Sequence, residues 1–400
     1  RPAVKAEPAR RCTVADDRPG PAELRAAGLY DPDADDASGR LALFEYLIGL
    51  GATLDDLLAA EKDGFPVIAS NLALWKDRER LTLDEAAQAA GVDHELIART
   101  WRAAGFPEPD PDPDARMFLR RDVEILTGMR AGIEFFGEDV TIQLIRVLGA
   151  AAARVADASV TAFVVNVVPQ AIEGDASGLE LARANAESIV LLDALTSGFD
   201  TLLRHHIERG FRPMAMLEGS AGIDLVHGSV GFVDLVDSTA WTQRLDLPAL
   251  SRALSMFDAT ASEIVVLHGG RAVKLIGDSV MFIATAPEAA VDIGLALVDA
   301  FSTHEILPQV RVGIATGDVL ARDGDFSGSV VNLAARAVNV AYPSSVLIDV
   351  DTRDAIEGSS AFSYRTAGNF SLKGFERRVR LSRVRRVEAA VTQGRHDAGA

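Results

Sequence analysis

The stretch that decides the fold of this chain is residues 231–239, GFVDLVDST. It belongs with two later segments, residues 273–282, VKLIGDSVMF, and residues 322–336, RDGDFSGSVVNLAAR. In the first segment an apolar run surrounds Asp234, and in the second a Gly-Asp turn containing Asp278 separates two apolar runs. These patterns predict a strand that ends near one carboxylate and a hairpin that turns at another.

The region around these segments changes between strand-like and helical periods. It predicts strand, helix, strand, strand, helix and strand in that order, which is the order of a ferredoxin-like α+β domain. We therefore expect a second domain over residues 223–387. The predicted elements are a strand at 226–236, a helix at 250–267, strands at 272–276 and 279–284, a helix at 286–301, a strand at 310–315, a helix at 330–340 and a strand at 346–350.

The front half of the chain has helical periodicity throughout. Apolar residues recur at helical spacing over residues 21–210, which predicts an all-α bundle. The apolar segment at 140–172 is expected to be the buried centre of that bundle. The last long helix is expected at 179–209, and the glycine, proline and serine residues at 211–222 predict a linker.

The two ends of the chain and one basic segment have compositions of their own. Residues 1–20 lack periodicity and are expected to be disordered, and residues 388–400 are expected to form a loose tail. Residues 377–386 are rich in arginine. Because charged side chains protect the edges of sheets, we interpret this segment as a solvated edge strand.

Residues 81–99 resemble a helix-turn-helix, with Asp93 as the expected N-cap of the second helix. DNA binding requires a basic recognition helix. The second helix combines Arg99 with Glu95, and an acidic, proline-rich loop follows at 107–113. We interpret the pair as a packing unit, with nucleic-acid contact as the disfavoured alternative.

Length and composition limit the class of protein. The 400 residues are enough for two or three domains, and a hydrophobic content of 48% is ample for packed cores. The net charge of −18 argues against a broad phosphate-binding face and hence against a dedicated nucleic-acid protein. Cys12 is the single cysteine, which fits a reducing compartment. The most apolar run is too short and interrupted to span a bilayer, so we expect a soluble, cytoplasmic protein with no membrane partner.

Asp234 and Asp278 are candidate metal ligands. A carboxylate at a strand end or in a tight turn is rigid yet exposed to a ligand. Two of them can hold two Mg²⁺ or Mn²⁺ ions through hard oxygen ligands. Either residue alone is typical of an ordinary turn or cap. The loop at 235–239 leads into a helix, and its backbone N–H groups suit a polyphosphate.

Together the three segments resemble the catalytic domain of class III adenylate cyclases. The resemblance implies conversion of ATP to 3′,5′-cyclic AMP and pyrophosphate, with Asp234 and Asp278 as the ligands of two metal ions. It implies that Lys274 and Asp325 select adenine, because a lysine donates to N1 and a carboxylate accepts from the N6 amino group.

The resemblance also assigns roles to Asn332 and Arg336, which lie four residues apart and share a helix face. Asn332 would position the ribose, and Arg336 would stabilise charge during attack on the α-phosphate. In this family the metal-binding aspartates and the Asn/Arg pair come from different subunits, which implies a homodimer with two identical sites. Taken alone, such a pair is usually solvated surface.

Asp237 departs from the family pattern, which usually has glycine at this position. Aspartate tolerates left-handed backbone conformations better than most residues, so the turn can form. Its negative charge near a triphosphate is unfavourable and predicts slower turnover or weaker ATP binding.

The helical half resembles the autoinhibitory regulatory domain of pH-responsive actinobacterial cyclases. His205 and His206 lie near the end of the last long helix and are candidate pH sensors, because histidine titrates near neutral pH. The alternative is that they only cap the helix. A second function stays open, a non-catalytic protein that senses nucleotide and binds DNA or a partner through the segment at 81–99. The complete six-residue set favours the enzyme.

Overall fold

The computed structural model describes residues 18–61, 64–75, 77–175, 177–214 and 225–387. The chain divides into two compact units, with the boundary between Gly219 and Ser220. The predictions of disorder for residues 1–17, of a linker for 215–222 and of a tail for 388–400 lie outside the described residues.

The first unit is helical, as predicted, apart from one short antiparallel ladder between β1 (Arg80–Leu81) and β2 (Phe118–Leu119). One apolar core lies where α10 packs on α4 and α2, and a second lies among α5, α6 and α7. The helices are α1 (Pro21–Ala26), α2 (Ala37–Gly49), α3 (Leu54–Ala59), α4 (Phe65–Leu74), α5 (Leu83–Ala90), α6 (His94–Ala103), α7 (Asp122–Phe136), α8 (Glu138–Asn166), α9 (Val168–Ile172) and α10 (Leu179–Met214).

The helix–turn–helix geometry of α5 and α6 is confirmed. Gly91 ends α5 with a left-handed φ of 67°, and the Asp93 side chain caps α6 by accepting the Leu96 N–H at 2.8 Å. The arginines of α6 are paired with acids, since Arg99 binds a glutamate of α8 and Arg102 binds one in the following loop. These ion pairs neutralise the charges that a DNA-binding helix needs.

The prediction that residues 140–172 form the buried centre of the bundle is wrong. Within α8 only Thr141 and Ile142 are buried, whereas Val140, Leu144 and Leu148 are exposed and lie four residues apart on one stripe. Periodicity predicts that a helix has an apolar face but does not say what covers it. Among the described helices, α8 alone is long and apolar enough to cross a membrane by length and composition. That is weak evidence, because helices of soluble proteins pass the same test.

Helix α10 is longer than predicted. Residues 210–214, expected to lie at or beyond its end, are helical. His205 and His206 are exposed and lie two turns before the helix ends, so the interpretation of the two histidines as a helix cap is wrong. Nδ1 of His205 lies 3.9 Å from Oε2 of Glu208 on the next turn.

The second unit has the predicted α+β order. Its eight-stranded sheet has the strand order β4-β5-β3-β6-β8-β10-β9, with β7 paired to β6. The four strands β4-β5-β3-β6, counted from one edge of the sheet, have the ferredoxin-like arrangement. The elements are β3 (Leu225–Leu235), α11 (Ser238–Thr242), α12 (Leu247–Leu267), β4 (Arg271–Ile276), β5 (Ser279–Ala284), α13 (Pro287–Ser302), β6 (Val310–Arg322), β7 (Asp325–Ser327), α14 (Ser329–Val340), β8 (Ser345–Ile348), α15 (Val350–Ala355), β9 (Phe362–Phe370) and β10 (Val379–Arg386).

Two details of the second unit differ from the sequence prediction. Strand β6 continues to Arg322, well beyond the predicted end at residue 315. The arginine-rich β10 is not an edge strand, because it lies between β8 and β9 and pairs with both. The protection of a sheet edge therefore does not explain its arginines.

Helices cover both faces of the sheet. Helices α12 and α13 bury one face around Phe257, Phe282 and Phe301, and α14 packs on the other face. Gly313 of β6 allows the close approach of α14, since a Cβ atom there would lie 2.3 Å from the Val338 nitrogen. This contact positions the helix that carries Asn332 and Arg336.

Candidate active site

Asp234 is held between the two strands on either side of β3. In the register of the sheet its partners are Ser279 on β5 and Arg311 on β6. Ser279 Oγ donates to Oδ1 of Asp234 at 2.6 Å. Arg311 donates to Oδ2 through Nη2 at 2.6 Å and through Nε at 3.0 Å. The Asp234 side chain is only 13% exposed, so these charge-assisted bonds fix its rotamer.

The sequence interpretation missed Arg311. The sequence offers one indication of its role: Arg311 is a charged residue within a strand that the periodicity predicted, two residues before Gly313. Only the register of β6 against β3 brings the guanidinium to Asp234, and register cannot be read from one strand alone.

Asp278 lies in the turn between β4 and β5, where Gly277 adopts a left-handed φ of 64°. The turn is tied to the end of β3, because the Leu235 N–H donates to the Asp278 carbonyl oxygen at 3.3 Å. Asp234 and Asp278 therefore lie at the same end of the sheet. Among the described residues, no protein group donates to the half-buried side chain of Asp278.

These two carboxylates fit a divalent cation bound together with a phosphate ligand. A carboxylate has about four lone-pair sites, and the three bonds to Asp234 leave one on Oδ1. Within the described parts of the chain no group of three or more histidine, cysteine or acidic side chains could hold a metal. Further ligands would therefore be phosphate oxygens and water, which is usual for Mg²⁺ sites that carry few carboxylates.

The loop after β3 contains a left-handed turn at Asp237. Asp237 has φ 52° and ψ 31°, so the left-handed conformation expected for it is confirmed. A cavity of about 430 Å³ adjoins the loop, and Asp237, Trp241, Arg244 and Gln309 are among its lining residues. Arg244 and Asp237 both line this cavity, so the positive charge of Arg244 offsets part of the negative charge of Asp237.

Lys274 and Asp325 form an ion pair between β4 and the start of β7. Burial opposes ionisation of Asp325. The bonds from Lys274 and the Phe326 N–H, together with the charges of Lys274 and Arg271, outweigh burial and hold its pKa below the usual value. Asp325 therefore stays ionised at neutral and mildly acidic pH. The two residues assigned to adenine are brought together although 51 positions separate them.

Asn332 and Arg336 are exposed on one face of α14, opposite the buried Ala334 and Val338. In the described part of the chain, neither side chain makes a hydrogen bond or an ion pair. Neither side chain is therefore bonded to Asp234 or Asp278 among the described residues. The single chain thus brings together the carboxylate pair and the Lys274–Asp325 pair, and leaves the Asn/Arg pair facing outward.

Comparison with known proteins finds two family models that match consecutive parts of the chain. The adenylate cyclase regulatory domain matches residues 23–207, and the adenylate and guanylate cyclase catalytic domain matches residues 226–384. The first match lies within the helical unit and the second within the α+β unit.

Several relatives are similar over most of their length. An uncharacterized protein of Mycobacterium tuberculosis is 34% identical over 88% of this chain and 91% of its own. An adenylate cyclase of Streptomyces coelicolor is 32% identical over 75% of this chain and 79% of its own. A pH-sensitive adenylate cyclase of Mycobacterium tuberculosis is 29% identical over 87% of this chain and 88% of its own. The chain therefore belongs to the class III adenylate cyclase family, with an adenylate cyclase regulatory domain followed by the catalytic domain of that family.

Proposed function

We propose that this protein converts ATP to 3′,5′-cyclic AMP and pyrophosphate at a site shared by two copies of the chain. The observation that carries the proposal is the placement of Asp234 and Asp278 at one end of the sheet, tied by the bond from Leu235 to the Asp278 carbonyl. The relatives named adenylate cyclase support ATP as the substrate.

Asp234 and Asp278 would hold two Mg²⁺ or Mn²⁺ ions. When bound, such ions lower the pKa of the attacking ribose hydroxyl and neutralise charge on the phosphates. The chain prepares Asp234 for this role, because Ser279 and Arg311 fix its carboxylate and little reorganisation is needed. Arg311 also places a positive charge beside the position proposed for the triphosphate.

In the reaction the ribose 3′-hydroxyl loses its proton to solvent, and its oxygen forms a bond to the α-phosphorus. The bond from the α-phosphorus to the oxygen bridging to the β-phosphate breaks, and pyrophosphate leaves. Asn332 of the second copy would orient the ribose. Arg336 of the second copy would donate to the oxygens of the α-phosphoryl group, where negative charge is redistributed in the transition state.

Lys274 and Asp325 would read the base. Adenine accepts at N1 and donates from its N6 amino group, and guanine presents the reverse pattern. Lysine donates and the ionised Asp325 accepts, so the pair matches adenine. The two side chains now bind each other, and adenine would replace that contact with two bonds of the same polarity.

A homodimer accounts for surfaces that one chain leaves uncovered. Leu275 and Ile276 of β4 are about half exposed beside Lys274, and α8 carries the exposed apolar stripe described above. Apolar patches of this kind usually mark interaction sites. A second copy of the chain would cover them and bring Asn332 and Arg336 to the carboxylates.

We further propose that the helical unit regulates the cyclase in response to pH through His205 and His206. Both lie exposed on α10, the last helix before the catalytic unit, together with Arg204, Glu208 and Arg209. Protonation adds positive charge to this segment. One relative is named a pH-sensitive adenylate cyclase. Asp325 cannot supply such a response near neutral pH, because its pKa is lowered.

The second candidate function is a non-catalytic, nucleotide-sensing protein whose helix-turn-helix segment binds DNA or a partner. The ion pairs of Arg99 and Arg102 disfavour DNA contact. All six expected site residues are present in the sequence, which disfavours a degenerate enzyme. We place the protein in the cytoplasm for two reasons. The proposed substrate, ATP, is present there, and the single cysteine fits reducing conditions.

Replacement of Asp278 by asparagine tests the proposed function. Cyclic AMP formation from ATP and Mn²⁺ should fall by at least about 100-fold, because a metal carboxylate supplies several kcal/mol of transition-state stabilisation. The thermal midpoint should stay near that of the parent, since no protein group binds this side chain in the described residues. Asp351→Asn, at an exposed position of α15, is the matched control and should keep full activity. Activity of Asp278→Asn within twofold of the parent would refute the metal assignment.

Single replacements of Lys274 and Asp325 by alanine test the reading of the base. Each should lower kcat/KM for ATP by about 10- to 100-fold, the effect of one unmatched hydrogen bond to a charged group. Arg322→Ala removes an exposed charge three positions before Asp325 and should change kcat/KM little. If both alanine variants use ATP as well as the parent does, the base is read elsewhere.

The pH response is tested with the full chain. Activity should rise as the pH falls from about 8 to about 5.5, a range that spans the unperturbed histidine pKa of ~6.5. The double variant His205→Ala/His206→Ala should lose this rise. His94→Ala removes another exposed histidine of the helical unit and should keep it. An unchanged profile in the double variant would exclude these histidines as the sensor.

A further inference from the structure

A second cavity, of about 290 Å³, lies in the α+β unit where β8 begins and β10 ends. Three arginines of β10 line it, Arg383, Arg385 and Arg386. The other lining residues are Ser344 just before β8, Ser345 in β8, Asp299 of α13 and four apolar side chains. These arginines belong to the basic segment at 377–386, whose composition the edge-strand interpretation fails to explain. The cavity is built from none of the residues assigned to ATP or metal.

The positive charge of this cavity is only partly balanced. Arg386 binds Asp292 at 3.2 Å and Asp299 at 2.8 Å. Arg383 and Arg385 have no carboxylate partner among the described residues. Arg365 of β9 stands directly opposite Arg383 in the register of the sheet. Like charges in directly opposed positions destabilise a sheet unless a counter-charge lies between them.

Two residues that line this cavity each carry a buried donor without a partner. Nε of Arg383 and Oγ of Ser344 are both buried, and neither has a hydrogen-bond partner within the described chain. A buried donor without an acceptor destabilises the folded state, so native proteins seldom leave one unmatched. Burial is the larger cause, and the positive charge of Arg385 the smaller, that lowers the pKa of the Arg383 guanidinium. Such a lowering is expected for a cation without an anion beside it.

The backbone holds Ser344 firmly in this position. Its φ of 51° is left-handed, which is uncommon for a residue other than glycine. Its N–H donates to the Val310 carbonyl at 2.9 Å, and its own carbonyl accepts from Nη2 of Arg383 at 3.4 Å. Strained residues held by their surroundings cluster at ligand sites.

We propose that this cavity binds a small oxyanion of the phosphate class. A change of rotamer at Arg383 and Ser344 would turn their buried donors, Nε and Oγ, toward its oxygens, and Arg385 would supply a further positive charge. A phosphate-class anion fits because its oxygens can accept hydrogen bonds from the two unmatched donors. Its negative charge can also balance Arg383 and Arg385, which have no carboxylate partner among the described residues. It would also screen Arg383 from Arg365.

The cavity lies at the same sheet end as the candidate active site. Ser345 pairs with Arg311 in the parallel register of β6 and β8, and Arg311 binds Asp234. The anion would therefore sit two strands along the sheet from Asp234. The same chemistry can come from free phosphate, from pyrophosphate or from the phosphate of a nucleotide, so the test compares these sources.

The test is calorimetric titration of the full chain in chelator-containing, metal-free buffer, which suppresses binding at the proposed metal site. The probes are inorganic phosphate, pyrophosphate and AMP, with chloride holding the ionic strength constant. At least one probe should bind saturably to the parent and to Asp278→Asn. The probe with the highest affinity identifies the source of the phosphate group.

Variants locate the binding. Arg383→Gln should weaken it at least about tenfold, as expected for the loss of a charge-assisted hydrogen bond. Ser344→Gly should weaken it severalfold while folding normally, because glycine accepts a positive φ and only the hydroxymethyl group is lost. Arg380→Gln, at an exposed position of the same strand, is the matched control and should bind like the parent.

Three results would overturn the proposal. The first is that none of the probes binds the parent saturably. The second is that Ser344→Gly binds as tightly as the parent and Arg383→Gln, if folded, does so too. The third is that Arg244→Gln, in the cavity beside the loop at 235–239, abolishes binding while the Arg383 and Ser344 variants keep it, which would place the anion in the candidate active site.

Discussion

The bond between Asp234 and Arg311 is the interaction on which the candidate site depends. It joins β3 to β6 at the end of the sheet, and Ser279 joins the same carboxylate to β5. The loss of one partner would leave a partly buried charge uncompensated, at a cost of about 1.5–3 kcal/mol for hydrogen bonds to a charged group. Removal of Asp234 would therefore lower the stability of the catalytic unit as well as its activity. Asp278, whose side chain no protein group binds among the described residues, reports on chemistry with less effect on folding.

The same sheet accounts for the second chain that the proposed function requires. The carboxylates lie at one end of the sheet, and the Lys274–Asp325 ion pair joins β4 to β7. Gly313 lets α14 pack tightly on β6, and this packing turns Asn332 and Arg336 outward. Under the proposed function, the outward-facing pair becomes useful only when a second chain supplies the carboxylates. A regulatory unit then needs only to change how two catalytic units meet.

The sequence predicted local structure better than contacts. The βαββαβ order and the hairpin at Asp278 were predictable because alternating strands, helical periods and a Gly-Asp turn are local signals. The burial of α8 was predicted wrongly, since an apolar stripe does not reveal its partner. The edge position of β10 was also wrong, because composition does not determine strand order. Arg311 was missed because only the register brings it to Asp234. The roles of the six site residues come from the family resemblance, and only Lys274 and Asp325 are joined by a direct side-chain contact.

The shared site is tested most directly by a heterodimer of two inactive chains. Asp278→Asn and Arg336→Ala chains, carrying different affinity tags, are co-expressed, and the mixed dimer is purified through both tags. Each homodimer alone should be inactive, because both of its sites lack one component. The mixed dimer keeps one complete site out of two, so the account predicts recovery to about half of the parent activity. A verified mixed dimer as inactive as its two parent homodimers would contradict the claim that the site is shared.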